Sequence, residues 1–400
     1  MRRLAPSGTP VNMRDLAACI GGAASPKRTL EDFRAAVCSK FNVRHCFFAS
    51  SGRAALCVLL EVFRGLAPGN RDEVVIPSYT CYSVPSTIAK SGLKVLVRDI
   101  DPETLDYSIP GLRETDWKRV LCVITANLYG LPNDLPEISR IAKENGAFLI
   151  DDASQCMGGM VGSRFSGTFG DAGVFSLDKG KNITSMQGGI IVTDSDEIAS
   201  LVGKRVAALP SPPATSVIAS SMKLMAYAAF LNPRMYWLPE SLPFLNLGTT
   251  IYTTEYPVEA YSSLLGGFGA SLFRRFDEIT AARAGNGLAY DRALAGVKGL
   301  ERISAKKGSK PVYLRYPALV RDKGRRISML ARLKENGIGA TASFPRSVID
   351  LEEIGGILNK AGSSGKNGRD VAERIITLPT HPFVTGKDIE RAVSVLKGTA

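Results

Sequence analysis

The sequence predicts an α/β protein, with a large domain on a mainly parallel sheet flanked by helices and a smaller α/β C-terminal domain. Three observations carry this. Short apolar runs alternate with helix-length stretches from His45 to Thr193, the rhythm of successive βαβ units. The chain has 400 residues, more than one small core needs and suited to a large domain plus a smaller one. An acid at one strand end, Asp152, and a lysine beyond another, Lys181, can meet only if those strands are neighbours in one sheet.

Composition bounds the function. Apolar residues make up 45% and charged residues 22%, ordinary values for a soluble globular protein. The net charge of +12 either favours anionic ligands such as nucleotide diphosphates or reflects a basic surface with no specific partner. No basic run is interleaved with aromatics, so no nucleic-acid partner is expected. The seven cysteines are an odd, scattered set without a C-x-x-C pair, which fits reduced thiols in a cytoplasm. Two histidines, His45 and His381, are too few for a histidine-rich metal site. The basic start Met1-Arg2-Arg3 has no apolar run behind it, so no signal peptide is expected.

Residues 7–40 form an approach segment, with a turn at Ser7-Gly8-Thr9-Pro10 and a helix from Leu30 to Phe41, whose apolar positions are Leu30, Phe33, Val37 and Phe41. His45 to Ala49 reads as the first strand. Ser50-Ser51-Gly52-Arg53 then turns into a helix from Ala54 to Phe63. Free N–H groups and the positive dipole end make this turn a phosphate cradle, although Ser51 reads equally as a plain N-cap. Glu73 to Pro77 is a strand, and Tyr82 after it reads as a core aromatic. Lys94 to Arg98 and Val120 to Ala126 are strands, and Leu135 to Asn145 is a helix. Strands running one way put their ligand-binding turns along one edge. No G-x-G-x-x-G follows the first strand, which weakens a nicotinamide reading.

The centre is Ala147 to Gly189. A buried strand, Ala147 to Ile150, ends in Asp151-Asp152-Ala153-Ser154-Gln155. A second strand, Ala172 to Leu177, leads to Asp178-Lys179-Gly180-Lys181-Asn182, and Gly188-Gly189 precede a third, Ile190 to Thr193. A carboxylate facing a lysine across a ring-sized gap is what a pyridoxal phosphate site needs. The lysine forms a Schiff base and the acid keeps the pyridine nitrogen protonated. By position alone either lysine of Lys179/Lys181 and either acid of Asp151/Asp152 would serve.

This stretch resembles the fold-type I aminotransferases of the DegT/DnrJ/EryC1/StrS group, which make amino sugars on nucleotide carriers. The resemblance rests on Asp-Ala-Ser-Gln at 152–155, Gly170-Asp171, and Phe-Ser-Leu-x-x-x-Lys from Phe175 to Lys181. Leu378-Pro379 before His381-Pro382 resembles the family's signature ahead of its last helix. The resemblance implies a seven-stranded sheet and a homodimer. It implies Lys181 as the catalytic Schiff-base lysine and general acid/base, and Asp152 on the pyridine nitrogen. Gln155 would lie against the ring or its hydroxyl, Tyr82 over the ring, and Ser51, Gly52, Arg53 and Ser176 around the phosphate. The chain departs from the family at Cys81, at Asn127 where a histidine is usual, and at Thr254 and Tyr256. The activity implied is transfer of an amino group from an amino acid, glutamate by family analogy, to a keto sugar on a nucleotide. Two rivals are the family's dehydratase branch, which lacks the lysine, and a non-catalytic pyridoxal phosphate-binding regulator.

The domain boundary is placed at 252/253. Within the large domain, 204–250 is read as an apolar insertion with a helix from Val217 to Leu231 and with Tyr236, Trp237, Leu242 and Phe244 after it. It packs on the body or on a partner subunit, with a membrane-surface contact as the alternative; it is too short to span a bilayer. In the smaller domain, Val258 to Tyr290 is read as helical with Arg274, Arg275 and Arg283 on its polar positions. Strands are expected at Val312 to Val320 and Ile338 to Phe344, a helix from Arg325 to Asn336, a loose loop from Gly362 to Gly368, and a last helix from Lys387 to Lys397. His381 is read as a turn or surface residue.

Overall fold

The structure, a computed structural model, describes residues 2–242 and 251–398; Pro243 and Phe244 of the insertion lie outside them. Its main sheet has seven strands: β1 (His45–Ala49), β2 (Glu73–Pro77), β3 (Lys94–Arg98), β4 (Val120–Ile124), β5 (Phe148–Asp152), β6 (Ala172–Ser176) and β7 (Gly189–Thr193). They lie in the order β1-β7-β6-β5-β4-β2-β3. The five strands from β6 to β3 are parallel, whereas β7 runs antiparallel to both β6 and β1. Strands β2, β4, β6 and β7 are buried along their whole length, as a sheet covered on both faces requires. Strands β5 and β6 are hydrogen-bonded neighbours, with Asp152 opposite Val174. The adjacency that Asp152 and Lys181 require is therefore present.

Two helices precede the sheet, α1 (Met13–Ala24) and α2 (Pro26–Phe41). The approach segment is thus more helical than its sequence suggested. A capping box at Asn12 and Asp15 starts α1, and Pro26 opens α2 at a position where a missing N–H costs nothing. Helix α3 (Gly52–Leu66) follows β1, buries Ala54 through Leu60 and carries Ser51 as its N-cap.

The expected long helix of the C-terminal half is two: α4 (Ser263–Phe273) and α5 (Phe276–Ala293), parted at Arg274-Arg275. Helix α4 packs on α1 and α2. Arg283 does not lie on a polar face. It is fully buried, donating to the carbonyls of Leu314 and Gly8 at 3.0 and 2.5 Å. A second sheet of three antiparallel strands joins Leu300–Arg302, β8 (Arg315–Val320) and β9 (Ile375–Pro379).

Ile338 to Phe344 is not a strand. It pairs with β9 only through a single bridge, Thr341 to Thr377, because Ser343 takes φ +59° and turns the chain off the sheet. Phe344 is then carried against Tyr79 and Tyr82, its ring centre 5.7 Å from each. The expected loop at 362–368 ends early, since a helix begins at Lys366.

His381 is at a bend but completely buried, not at the surface. Its Nε2 lies 3.0 Å from the carbonyl of Ala5, which can only accept, so Nε2 carries the proton and Nδ1 is left bare. Burial, with Arg283 adding to it, pushes the imidazole down to about 3. The unfolded chain takes up a proton near 6.5 that the folded chain refuses. Stability carried by neutral His381 is therefore complete above pH 6.5 and drains as pH falls toward about 3. Denaturant melts across that window should show a shallower acid loss for His381→Asn than for the parent.

Candidate active site

The site forms where β5 and β6 end and α3 begins. Asp151 and Asp152 point to different tasks. Both Asp151 oxygens are used: Oδ1 accepts from Thr125 Oγ1 at 3.1 Å and Asn127 Nδ2 at 2.8 Å, and Oδ2 from the amides of Gly167 and Phe169 at 2.7 and 3.2 Å. That carboxyl ties loops together and has nothing left to offer a ligand. Asp152 is 6% exposed, and its Oδ1 accepts from the Ser154 amide at 2.8 Å. Burial raises the Asp152 carboxyl above its ordinary value, while the Ser154 hydrogen bonds and the Lys181 cation oppose the rise. Asp152 and Lys181 thus share one electrostatic environment, and a buried acid held off its ionised form gains from a further N–H cation placed against it.

Lys181 is partly buried, whereas Lys179 is exposed. The loop bearing Lys181 is fixed from below: its carbonyl accepts from Thr9 Oγ1 at 2.7 Å, and Asn182 Nδ2 donates to the Met157 carbonyl at 2.8 Å. Lys181 and Arg53 both lie within electrostatic reach of Asp178.

Gly52 brings the start of α3 close to two hydroxyl residues. A Cβ there would sit 3.3 Å from Ser176 Cβ and 3.8 Å from Ser154 Oγ. The N-terminus of α3, two hydroxyls and a bare glycine therefore surround one small space, the chemistry of a phosphate cradle. Gly189 allows β7 to pass beneath it, since a Cβ there would fall 2.3 Å from the Ser51 carbonyl. The donor set fits pyridoxal phosphate at both ends, a buried carboxylate for the ring nitrogen and a dipole-backed hydroxyl pocket for the phosphate.

Other expected site residues are placed as follows. Ser51 Oγ caps α3 by accepting from the Ala54 amide at 3.1 Å. Arg53 is stacked on the Tyr256 ring, 4.1 Å from its centre. Gln155 Oε1 accepts from the Tyr129 amide at 3.1 Å, which locks its side chain toward Tyr129. Tyr82 is tied to the C-terminal half. Its hydroxyl is held by the Arg346 amide at 2.7 Å and donates to the Arg346 carbonyl at 3.0 Å, and its ring packs on Phe344. The turn at Ser343 brings Phe344 of the C-terminal half onto it.

Three contributors escaped sequence reasoning. Ser154 grips Asp152, a signal present in an acid followed two residues on by a hydroxyl residue. Asn127, in the left-handed region at φ +39°, donates to the main-chain carbonyl of Asp152 at 3.0 Å and to the Asp151 carboxyl at 2.8 Å, so it fixes the strand end that carries both acids. Thr9 reaches Lys181 from across the sequence and leaves no local trace.

Comparison with known proteins bears on the family and the fold. The GDP-perosamine synthase of Vibrio cholerae is 29% identical over 178 residues, and the match spans 44% of this chain and about half, 48%, of that relative. The GDP-perosamine synthase of Caulobacter vibrioides is 24% identical over 383 residues, spanning 92% of this chain and 89% of the relative. Among solved structures, the Escherichia coli GDP-4-keto-6-deoxy-D-mannose-3-dehydratase, with hydrated PLP bound, shares the fold at TM-score 0.79 and 17% identity, over 99% of this chain and 100% of that one. Residues 12–207 and 263–397 match the sequence model of the DegT/DnrJ/EryC1/StrS aminotransferase family, with 208–262 outside the match, and the chain belongs to that family.

Proposed function

We propose that this protein is a pyridoxal phosphate-dependent aminotransferase that moves an amino group from an amino acid, glutamate, to a keto sugar carried on a nucleotide. The observation that carries the reading is the buried Asp152 carboxyl within electrostatic reach of the Lys181 amine, beside the Gly52–Ser176–Ser154 cradle. The cofactor supplies an aldehyde that couples to amines and a ring that withdraws electrons. Lys181 then tethers the cofactor and, once displaced, carries a proton to and from the carbon next to the transferred nitrogen. Asp152, oriented by Ser154 on a strand end that Asn127 fixes, keeps a proton on the ring nitrogen. Ser176, Ser154 and the α3 amides bind the phosphate.

The rival reading, the family's dehydratase branch, lacks the lysine, so the presence of Lys181 favours amino transfer. All seven cysteines are free thiols, in keeping with a cytoplasmic enzyme, and we infer a homodimer from the family. Among the described residues no helix is long and apolar enough to cross a membrane. The test is to mix purified protein with glutamate and then with a panel of nucleotide-linked keto sugars. Glutamate should bleach the visible band of the lysine-bound cofactor, and mass detection should find an aminated sugar. A band that no amino acid moves would leave a binding protein in place of an enzyme.

A further inference from the structure

The insertion, which lies outside the family match, carries a helix, Ala214–Phe230, and this helix meets the Lys181 loop on both sides of the lysine. The loop joins β6 to β7. Toward β7, Gln187 Nε2 donates to Ser220 Oγ of the helix. Toward β6 the connection runs through residues 7–9. The Thr9 amide donates to the Tyr227 hydroxyl of the helix at 2.8 Å. The Thr9 hydroxyl lies 2.7 and 3.0 Å from the carbonyls of Lys181 and Asn182, and Ser7 Oγ donates to the Gly180 carbonyl at 2.5 Å. Between Ser7 and Thr9, Gly8 fits against Leu231, the residue that closes the helix; a Cβ on Gly8 would fall 2.4 Å from Leu231 Cδ1.

Ser220 and Tyr227 are seven residues apart, so they share one face of the helix, the face that buries Leu224 and Leu231. Apolar burial there is non-directional and would hold the helix at many heights. The hydrogen bonds are directional, and both lead to the one loop that carries the lysine. The outward side of the same helix, with Ile218, Met222 and Met225, is exposed.

We infer that Tyr227 and Ser220 are positioning residues for Lys181: the insertion helix braces the loop on both sides and sets where the lysine backbone stands. This rests on the proposed function. Hydrogen exchange and steady-state kinetics of the protein loaded with pyridoxal phosphate test it. Tyr227→Phe keeps the ring, removes the acceptor and leaves the fully buried Thr9 amide unpaired. The Lys181 and Ser185 amides, bonded to the carbonyls of Asp178 and Leu177, should then exchange about 5- to 100-fold faster than in the parent. Amides of β4, in the middle of the sheet, should exchange as before. The kcat of amino transfer should fall about 10- to 100-fold with KM for the keto sugar within twofold, because a displaced lysine loses reaction geometry and not substrate contacts. Ser220→Ala should act in the same direction, less strongly. Met222→Gln, on the outward side, should change neither quantity.

Faster exchange confined to the loop, together with a lower kcat, supports the inference. Loop exchange within twofold of the parent in both Tyr227→Phe and Ser220→Ala overturns it, as does an equal rise in β4. A faster loop with an unchanged kcat also overturns it, since the contact would then serve the fold alone. Should Tyr227→Phe fail to fold, Ser220→Ala is held to the same limits. A parent that shows no visible band with the cofactor would refute the aminotransferase reading, while the exchange data would still decide whether the helix braces the loop.

Discussion

A Lys181→Ala protein is expected to show no visible absorption from a lysine-bound cofactor and to lose amino transfer by about 10²- to 10⁴-fold from the missing proton transfer alone. The loss should not reflect unfolding. The loop is fixed through backbone and neighbouring groups, the Thr9 hydroxyl on the Lys181 carbonyl and the Asn182 amide on Met157, and none of these involves the lysine side chain. Its thermal melt should match the parent's. Lys179→Ala is the control: that side chain is exposed, and both band and activity should persist. A band surviving in Lys181→Ala and vanishing in Lys179→Ala would reverse the assignment.

Why Lys181 could be read from sequence, and the Thr9 hydroxyl that holds its loop could not, has a physical cause. Strand adjacency follows from short buried runs joined by helices, so β5, β6 and the turns at their ends are local facts, and the acid, the lysine and the glycine of the cradle all sit on those turns. The phosphate cradle likewise needs only β1, Ser51 and the start of α3. What stayed hidden depends on distant chain crossing the sheet's edge. Thr9 touches Lys181, and Ser343 turns Phe344 onto Tyr82. Arg283 and His381 were misjudged for the same reason. Their polar side chains look solvent-bound by period and composition, yet the carbonyls that bury them come from Gly8, Leu314 and Ala5.

The paired acids allow the sharpest separation of chemistry from folding. Asp152→Asn should leave the fold intact and cripple the reaction. Its hydrogen bonds come from Ser154, whose amide donation is met equally well by an amide oxygen, and burial already disfavours the charge it loses. What disappears is the anion that holds a proton on the cofactor ring. Breaking a buried pair of this kind costs about 3–5 kcal/mol, and a loss of that size in the transition state is roughly 10²- to 5 × 10³-fold in kcat. Asp151→Asn should do the reverse. Gly167 and Phe169 amides, Thr125 and Asn127 all donate to Asp151, and an asparagine turns an NH₂ toward one pair of these donors. Each donor so stranded costs about 1–3 kcal/mol of stability, seen as a lower Tm, while the protein that remains folded should turn over near the parent rate. Measuring kcat and Tm on both variants decides the matter: an active Asp152→Asn beside a folded but inert Asp151→Asn would move the cofactor's carboxylate one residue upstream and dissolve the contrast between a working acid and a structural one.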